Sequence, residues 1–126
     1  MLVVNRFDVT ESSSEQFRAD AKAALSALSR CTGFVRGRFG ASMDDPRYCA
    51  LVTEWETVGA YRRALAAFDV KMYATPLLAR ALPEPAAFEI ALAADGGDVT
   101  EYSSDRAPGF GLRETETTDP DRETAP

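Results

Sequence analysis

The chain has 126 residues, with 14 Lys and Arg against 20 Asp and Glu, and no histidine. That length supports one core, and the missing imidazole excludes Ser-His-Asp catalysis, HExxH zinc chemistry and histidine-ligated haem. A net charge of −6 also argues against nucleic acid, whose phosphates need a clustered basic surface. The charge is uneven. Residues 1–93 carry as many bases as acids, and the whole excess lies in residues 94–126. A neutral domain over 1–93 followed by an acidic extension over 94–126 is the expected division. Cys31 and Cys49 have no CxxC spacing, which fits small buried residues in a reducing cytoplasm. No apolar run reaches the ~18–20 residues that span a bilayer, so neither a membrane nor nucleic acid is an expected partner.

Leu2 to Phe7 is a bulky run that predicts a strand. Ser12-Ser13-Ser14-Glu15 then offers a capping box for a helix. Phe17, Ala21, Ala24, Leu25 and Leu28 recur on one face of that helix, and Gly33 supplies backbone freedom at its exit. Phe34 to Ser42 and Tyr48 to Glu56 predict two strands, joined by Asp44-Asp45-Pro46 turn chemistry. Simple alternation sets Phe34, Arg36 and Arg38 against Val35, Gly37 and Phe39 in the first of these. In the second it sets Cys49, Leu51, Thr53 and Trp55 against Tyr48, Ala50, Val52 and Glu54. Thr57 is placed to cap a second helix, in which Val58, Tyr61, Leu65 and Phe68 share a face. Met72 to Leu82 is a weaker helical stretch interrupted by Pro76, and Ala87 to Ala93 predicts the last strand.

The order βαββαβ predicts an α+β, ferredoxin-like architecture: a four-stranded antiparallel sheet with two helices on one face. Every strand carries apolar side chains on its second face as well, and a patch of that size needs a cover. The expectation is a homodimer joined by the sheet face that bears Trp55.

Taken in order and spacing, several runs resemble the antibiotic biosynthesis monooxygenase family over residues 1–93. They are Val4-Asn5-Arg6-Phe7, Gly33-Phe34, Asp44-Asp45-Pro46, Val52-Thr53-Glu54-Trp55-Glu56 and Val58-Gly59-Ala60-Tyr61-Arg62-Arg63-Ala64-Leu65. The resemblance implies a dimeric α+β barrel. It also implies an oxygenase of aromatic polyketides or quinols that needs no cofactor, only molecular oxygen as co-substrate. Haem-degrading relatives hold haem through a helix histidine that this chain lacks.

Asn5 sits among Val3, Val4 and Phe7, where an amide has no packing reason to be. Either it bonds backbone at the sheet edge, or it points into a cavity and holds a substrate oxygen. Trp55, the single tryptophan, is either core or a flat wall for a polycyclic aromatic. Tyr61 either packs its ring on the sheet or touches substrate. The resemblance implies catalytic places for Asn5, Trp55 and Tyr61, with Arg38, Leu51, Thr53, Leu65 and Phe68 as substrate-binding neighbours. Leu51 stands where the polyketide-oxygenase branch carries an asparagine, a departure that bears on its proton handling. Arg36 and Arg38 are solvated or paired with Glu54 and Glu56, or one of them meets an anionic substrate. Asp44, Asp45 and Asp69 are too weak a set for a cation, and no metal site is expected. Gly37-Arg38-Phe39-Gly40 is not a nucleotide-binding fingerprint.

Three activities remain open on such a fold: a cofactor-independent monooxygenase, a non-catalytic small-molecule-binding dimer, and a polyketide cyclase or isomerase. In the extension, Val99, Tyr102, Phe110 and Leu112 predict an arm over residues 98–112 that lies across the domain or its dimer partner. The acidic, Thr- and Pro-rich stretch 113–126 is expected to stay mobile.

Overall fold

Residues 1–103 are described by a computed structural model, as one unit spanning Met1–Ile90 and a second that begins at Ala91. In the first unit β1 (Leu2–Asp8), β2 (Phe34–Ala41), β3 (Tyr48–Trp55) and β4 (Ala87–Phe88) form an antiparallel sheet in the order β2-β3-β1-β4. Two longer helices, α1 (Ser14–Ser29) and α2 (Val58–Leu65), and two short ones, α3 (Phe68–Tyr73) and α4 (Thr75–Leu78), complete it. This is the expected α+β, ferredoxin-like arrangement.

The two helix starts differ in their caps. Thr57 is extended, at φ −145° and ψ 160°, and its Oγ1 accepts a hydrogen bond from the Ala60 N–H at 3.0 Å. The expected serine cap of α1 does not form. Ser13 lies at φ −104° and ψ −1°, outside the extended region a capping residue needs, and its hydroxyl makes no cap bond. Instead Glu11–Ser13 makes a 3₁₀ turn, and the Ser14 hydroxyl donates to the Glu11 carbonyl at 3.0 Å.

In β2 the pairing slips by one residue. Phe34 lies opposite Trp55 and Arg36 opposite Glu54, so Val35 is the extra residue of a bulge. The simple alternation is thereby corrected: Phe34 joins Gly37 and Phe39 on one face, and Arg36 and Arg38 take the other. The predicted second helix is also shorter than expected. Ala67 is extended, at φ −70° and ψ 144°, so α2 ends before Phe68, which opens α3. The buried positions of α2 are Ala60 and Ala64. Small residues are needed there because Gly33, at φ +90°, leaves the space its Cβ would fill to the Ala60 methyl. Pro76 falls in the first turn of α4, where a missing N–H costs little.

All four helices cover one face of the sheet. Val3, Phe7, Leu51 and Trp55 meet Phe17, Leu28, Val70 and Leu77 in the core. Phe7 and Phe17 pack edge to face with centroids 4.9 Å apart. Trp55 therefore belongs to the helix-covered face, which corrects the expected dimer surface. The opposite face carries half-buried Leu2, Val4, Ala50 and Val52, with Arg6, Arg36 and Arg38 among them.

The predicted last strand is split. Antiparallel pairing of β4 runs toward the start of β1 and ends at Leu2, so it spans two residues. In the second unit β5 (Leu92–Ala94) pairs instead with β6 (Val99–Glu101) in a hairpin whose turn contains Gly96 at φ +79°. The expected arm is described only as far as Ser103; residues 104–112 and the tail 113–126 lie outside the described residues. Among the described residues no helix is long and apolar enough to cross a membrane.

Candidate active site

Strand register decides which of the expected site residues can meet. Thr53 and Trp55 are two apart on β3 and so share a face. Trp55 Nε1 donates to Thr53 Oγ1 at 2.9 Å, and both residues are buried. The indole ring meets Phe34 edge-on at 5.2 Å and Tyr61 at 5.4 Å with the rings tilted by 56°. Gly37 lies beside this cluster; a Cβ there would collide with the tip of Leu25 and press on Phe34 and Thr53. The absence of a side chain at Gly37 is what lets the helix and the two strands close over the indole.

Asn5 faces the helices between buried Val3 and Phe7, in register with Leu51 and, one strand further, Phe39. Its side-chain amide makes no hydrogen bond to any described residue and is half-buried, an arrangement that favours an external partner. Four residues of β3 separate Leu51 from Trp55, roughly 13 Å at the usual strand rise. Asn5 and Trp55 thus share a face without touching. Burial raises the Tyr61 phenol above its ordinary value of 10.0, so it is protonated at neutral pH and can donate but not act as a base. Leu65 is half-buried at the end of α2.

Two expected neighbours stand elsewhere. Phe68 is 74% exposed on α3, because the break at Ala67 turns it off the face that Tyr61 and Leu65 share. Arg38 projects from the helix-free face, placed there by the bulge at Val35. It lines a depression of about 520 Å³ with Arg6, Ser42, Tyr48, Ala50 and Val52. The partners that sequence reasoning missed are Phe34 and Gly37. Their signal was available only through the bulge, since simple alternation puts Phe34 and Gly37 on opposite faces.

Cys31 and Cys49 are free thiols whose pKa is pushed up by burial, so neither is poised as a nucleophile. Among the described residues no three Cys, Asp or Glu side chains are placed to share a metal ion.

A four-stranded antiparallel sheet covered on one face by helices, with Asn5, Trp55 and Tyr61 on that covered side, defines a small ferredoxin-like α+β protein. The model of the antibiotic biosynthesis monooxygenase family matches residues 1–74, and the chain belongs to that family. Solved structures agree on the fold. A conserved protein from Methanosarcina mazei Go1 superposes with a TM-score of 0.57 at 17% identity, over 68% of this chain and 84% of its own. SnoaB of Streptomyces nogalater, a cofactor-independent oxygenase, gives 0.56 at 22% identity over 86% and 95%. The Pseudomonas aeruginosa protein PA3566 gives 0.55 at 10% identity over 71% and 93%. None of the curated proteins matches the chain significantly.

Proposed function

We propose that the protein is a cytoplasmic, homodimeric monooxygenase that oxidises an aromatic polyketide or quinol-like metabolite with O₂ and no resident cofactor. The observation that carries this reading is the unpartnered, half-buried Asn5 amide on the face that also holds the Trp55–Tyr61 pair. Its separation from Trp55, roughly 13 Å along the strands, suits a flat molecule of three or four fused rings. Membership of the family supports a monooxygenase reaction, and two half-buried free cysteines fit a reducing compartment.

None of Asn5, Trp55 or protonated Tyr61 is a base, so the substrate enters as its own enolate or phenolate. The Asn5 NH₂ donates to the anionic oxygen and the Tyr61 hydroxyl to a second one. For an anthrone, the carbanion passes one electron to O₂, giving a substrate radical and superoxide. These recombine into a C–O bond, the peroxide takes a proton, and loss of one water leaves the carbonyl. The CH₂ group and O₂ become C=O and H₂O, so atoms and electrons balance. The protein binds, orients and excludes bulk water.

Oxygen uptake by metal-stripped protein with a panel of anthrones and hydroquinones tests the reading. Asn5→Ala should lower kcat/KM by roughly a hundredfold, as loss of one anion-stabilising donor does. A second reading, a non-catalytic binding dimer, is favoured by one contact: Trp55 is 1% exposed and its N–H is already satisfied by Thr53. Tight binding of the same panel without oxygen uptake would establish it instead.

A further inference from the structure

Thr53, at 3% exposure, is the one buried polar residue among the described residues. A threonine hydroxyl offers acceptor lone pairs and one proton. The Thr53 oxygen accepts from Trp55 Nε1 at 2.9 Å, but its proton meets no acceptor among the described residues. Satisfying the indole explains the oxygen and leaves the proton over. Burial keeps that proton from bulk water, and a buried donor without an acceptor points to a partner from outside the chain. Register brings this donor near the other unpartnered polar group. Val3 lies opposite Thr53 and Asn5 opposite Leu51, so Asn5 and Thr53 are diagonal neighbours on the helix-covered face. Such positions lie about 7–8 Å apart across a strand pair. Asn5 is half-buried and Thr53 is buried, which makes Asn5 the outer and Thr53 the inner of the two.

We propose that Thr53 is the inner anchor of the ligand site. Its hydroxyl, fixed by accepting from Trp55, donates to one oxygen of the ligand, while the Asn5 NH₂ donates to a second. Donors at both ends select acceptor oxygens. The ligand class is therefore a flat ring system with carbonyl or phenolate oxygens on opposite sides of one ring. The Trp55 N–H, the Thr53 O–H and the ligand oxygen form a chain in which each hydrogen bond strengthens the next. The inference rests on the site proposed above and adds the group that holds the ligand's inner end.

The test uses the full chain and two matched probes: duroquinone, and durene, the same methylated ring without oxygens. The ring methyls block thiol addition, so Cys31 and Cys49 are spared. Trp55 is the single tryptophan, so its indole N–H gives one resonance in a nitrogen–proton NMR spectrum. In the unaltered protein the quinone should move that resonance downfield relative to the hydrocarbon. In equilibrium dialysis Thr53→Val should weaken quinone binding roughly tenfold, as loss of one hydrogen bond to a ligand does, and leave hydrocarbon binding unchanged. Thr53→Ser keeps the hydroxyl and should recover most of the affinity. Equal indole shifts with both probes overturn the proposal. So does a Thr53→Val loss that is the same for both, because it marks a purely structural threonine. Failure of the quinone to bind overturns it too. Neither probe is oxidised, so the two readings fail separately. Quinone held by Thr53 without oxygen uptake on the anthrone panel removes the oxygenase alone. Uptake indifferent to Thr53→Val removes this anchor alone.

Discussion

Trp55 is held at its strand position both by packing and by a hydrogen bond. Its ring is closed in by Phe34 and Tyr61, and its N–H has a single acceptor, Thr53 Oγ1 at 2.9 Å. Replacing Thr53 by valine keeps the volume but strands that buried N–H. The expected cost is about 1–3 kcal/mol, read from urea denaturation. Trp55→Phe should be costly too, and the double variant should recover part of the sum because the polar pair is then gone from both sides. Additive losses would mean that the hydrogen bond contributes nothing. Tyr61 carries a pH signature. Its folded pKa lies above its unfolded one, since burial opposes the phenolate. The stability this contributes is complete below the ordinary value of 10.0 and falls as pH rises through the folded pKa. Tyr61→Phe should therefore flatten the alkaline decline in urea midpoint between about pH 9 and pH 11. An unchanged slope would place the buried phenol elsewhere.

At the scale of elements, backbone angles at the caps decide outcomes that side-chain identity alone leaves open. Thr57 is extended and bonds the Ala60 N–H, whereas Ser13 is in the helical region and its hydroxyl caps no N–H, accepting instead from the Thr10 hydroxyl at 3.2 Å. Thr57→Ala should cost about 1 kcal/mol and Ser13→Ala less than about 0.5 kcal/mol, compared by thermal or urea melts. Equal losses would contradict the assignment. The same distinction explains what was legible in the chain. Strands β1 and β3 and helix α1 follow from long apolar periodicities that no local residue contests. The bulge at Val35 was hidden because valine is as apolar as the residues around it, so alternation continued through the slip. The end of α2 is hidden because Ala67 has high helix propensity, yet it is extended, at φ −70° and ψ 144°. Helical periodicity alone therefore puts Phe68 on a face it does not share.

For the whole molecule, what could not be read from the sequence was which side of the sheet the helices would cover. Apolar residues line both faces of β3, so Trp55 was assigned to the open one; the Ala60–Gly33 approach and the Leu25–Gly37 contact bring the helices onto the other. Among the expected site residues, Trp55, Thr53 and Tyr61 come together as the strand period and the six-residue spacing suggest. Arg38 leaves them for the helix-free face. That face yields a clear prediction about assembly. Val4 and Val52 are cross-strand partners there, each half-buried. In a separate chain an aspartate at position 52 reaches water at its rim, so Val52→Asp should cost the fold only about 1 kcal/mol. Between two sheets the same carboxylate is buried, and even with Arg38 as its cross-strand neighbour its desolvation costs several kcal/mol. Light scattering at micromolar concentration should then give twice the chain mass for the native protein and the chain mass for Val52→Asp, with the far-ultraviolet circular dichroism unchanged. A native protein at the chain mass, or a variant that keeps the doubled mass, would show that this face is not where two copies meet.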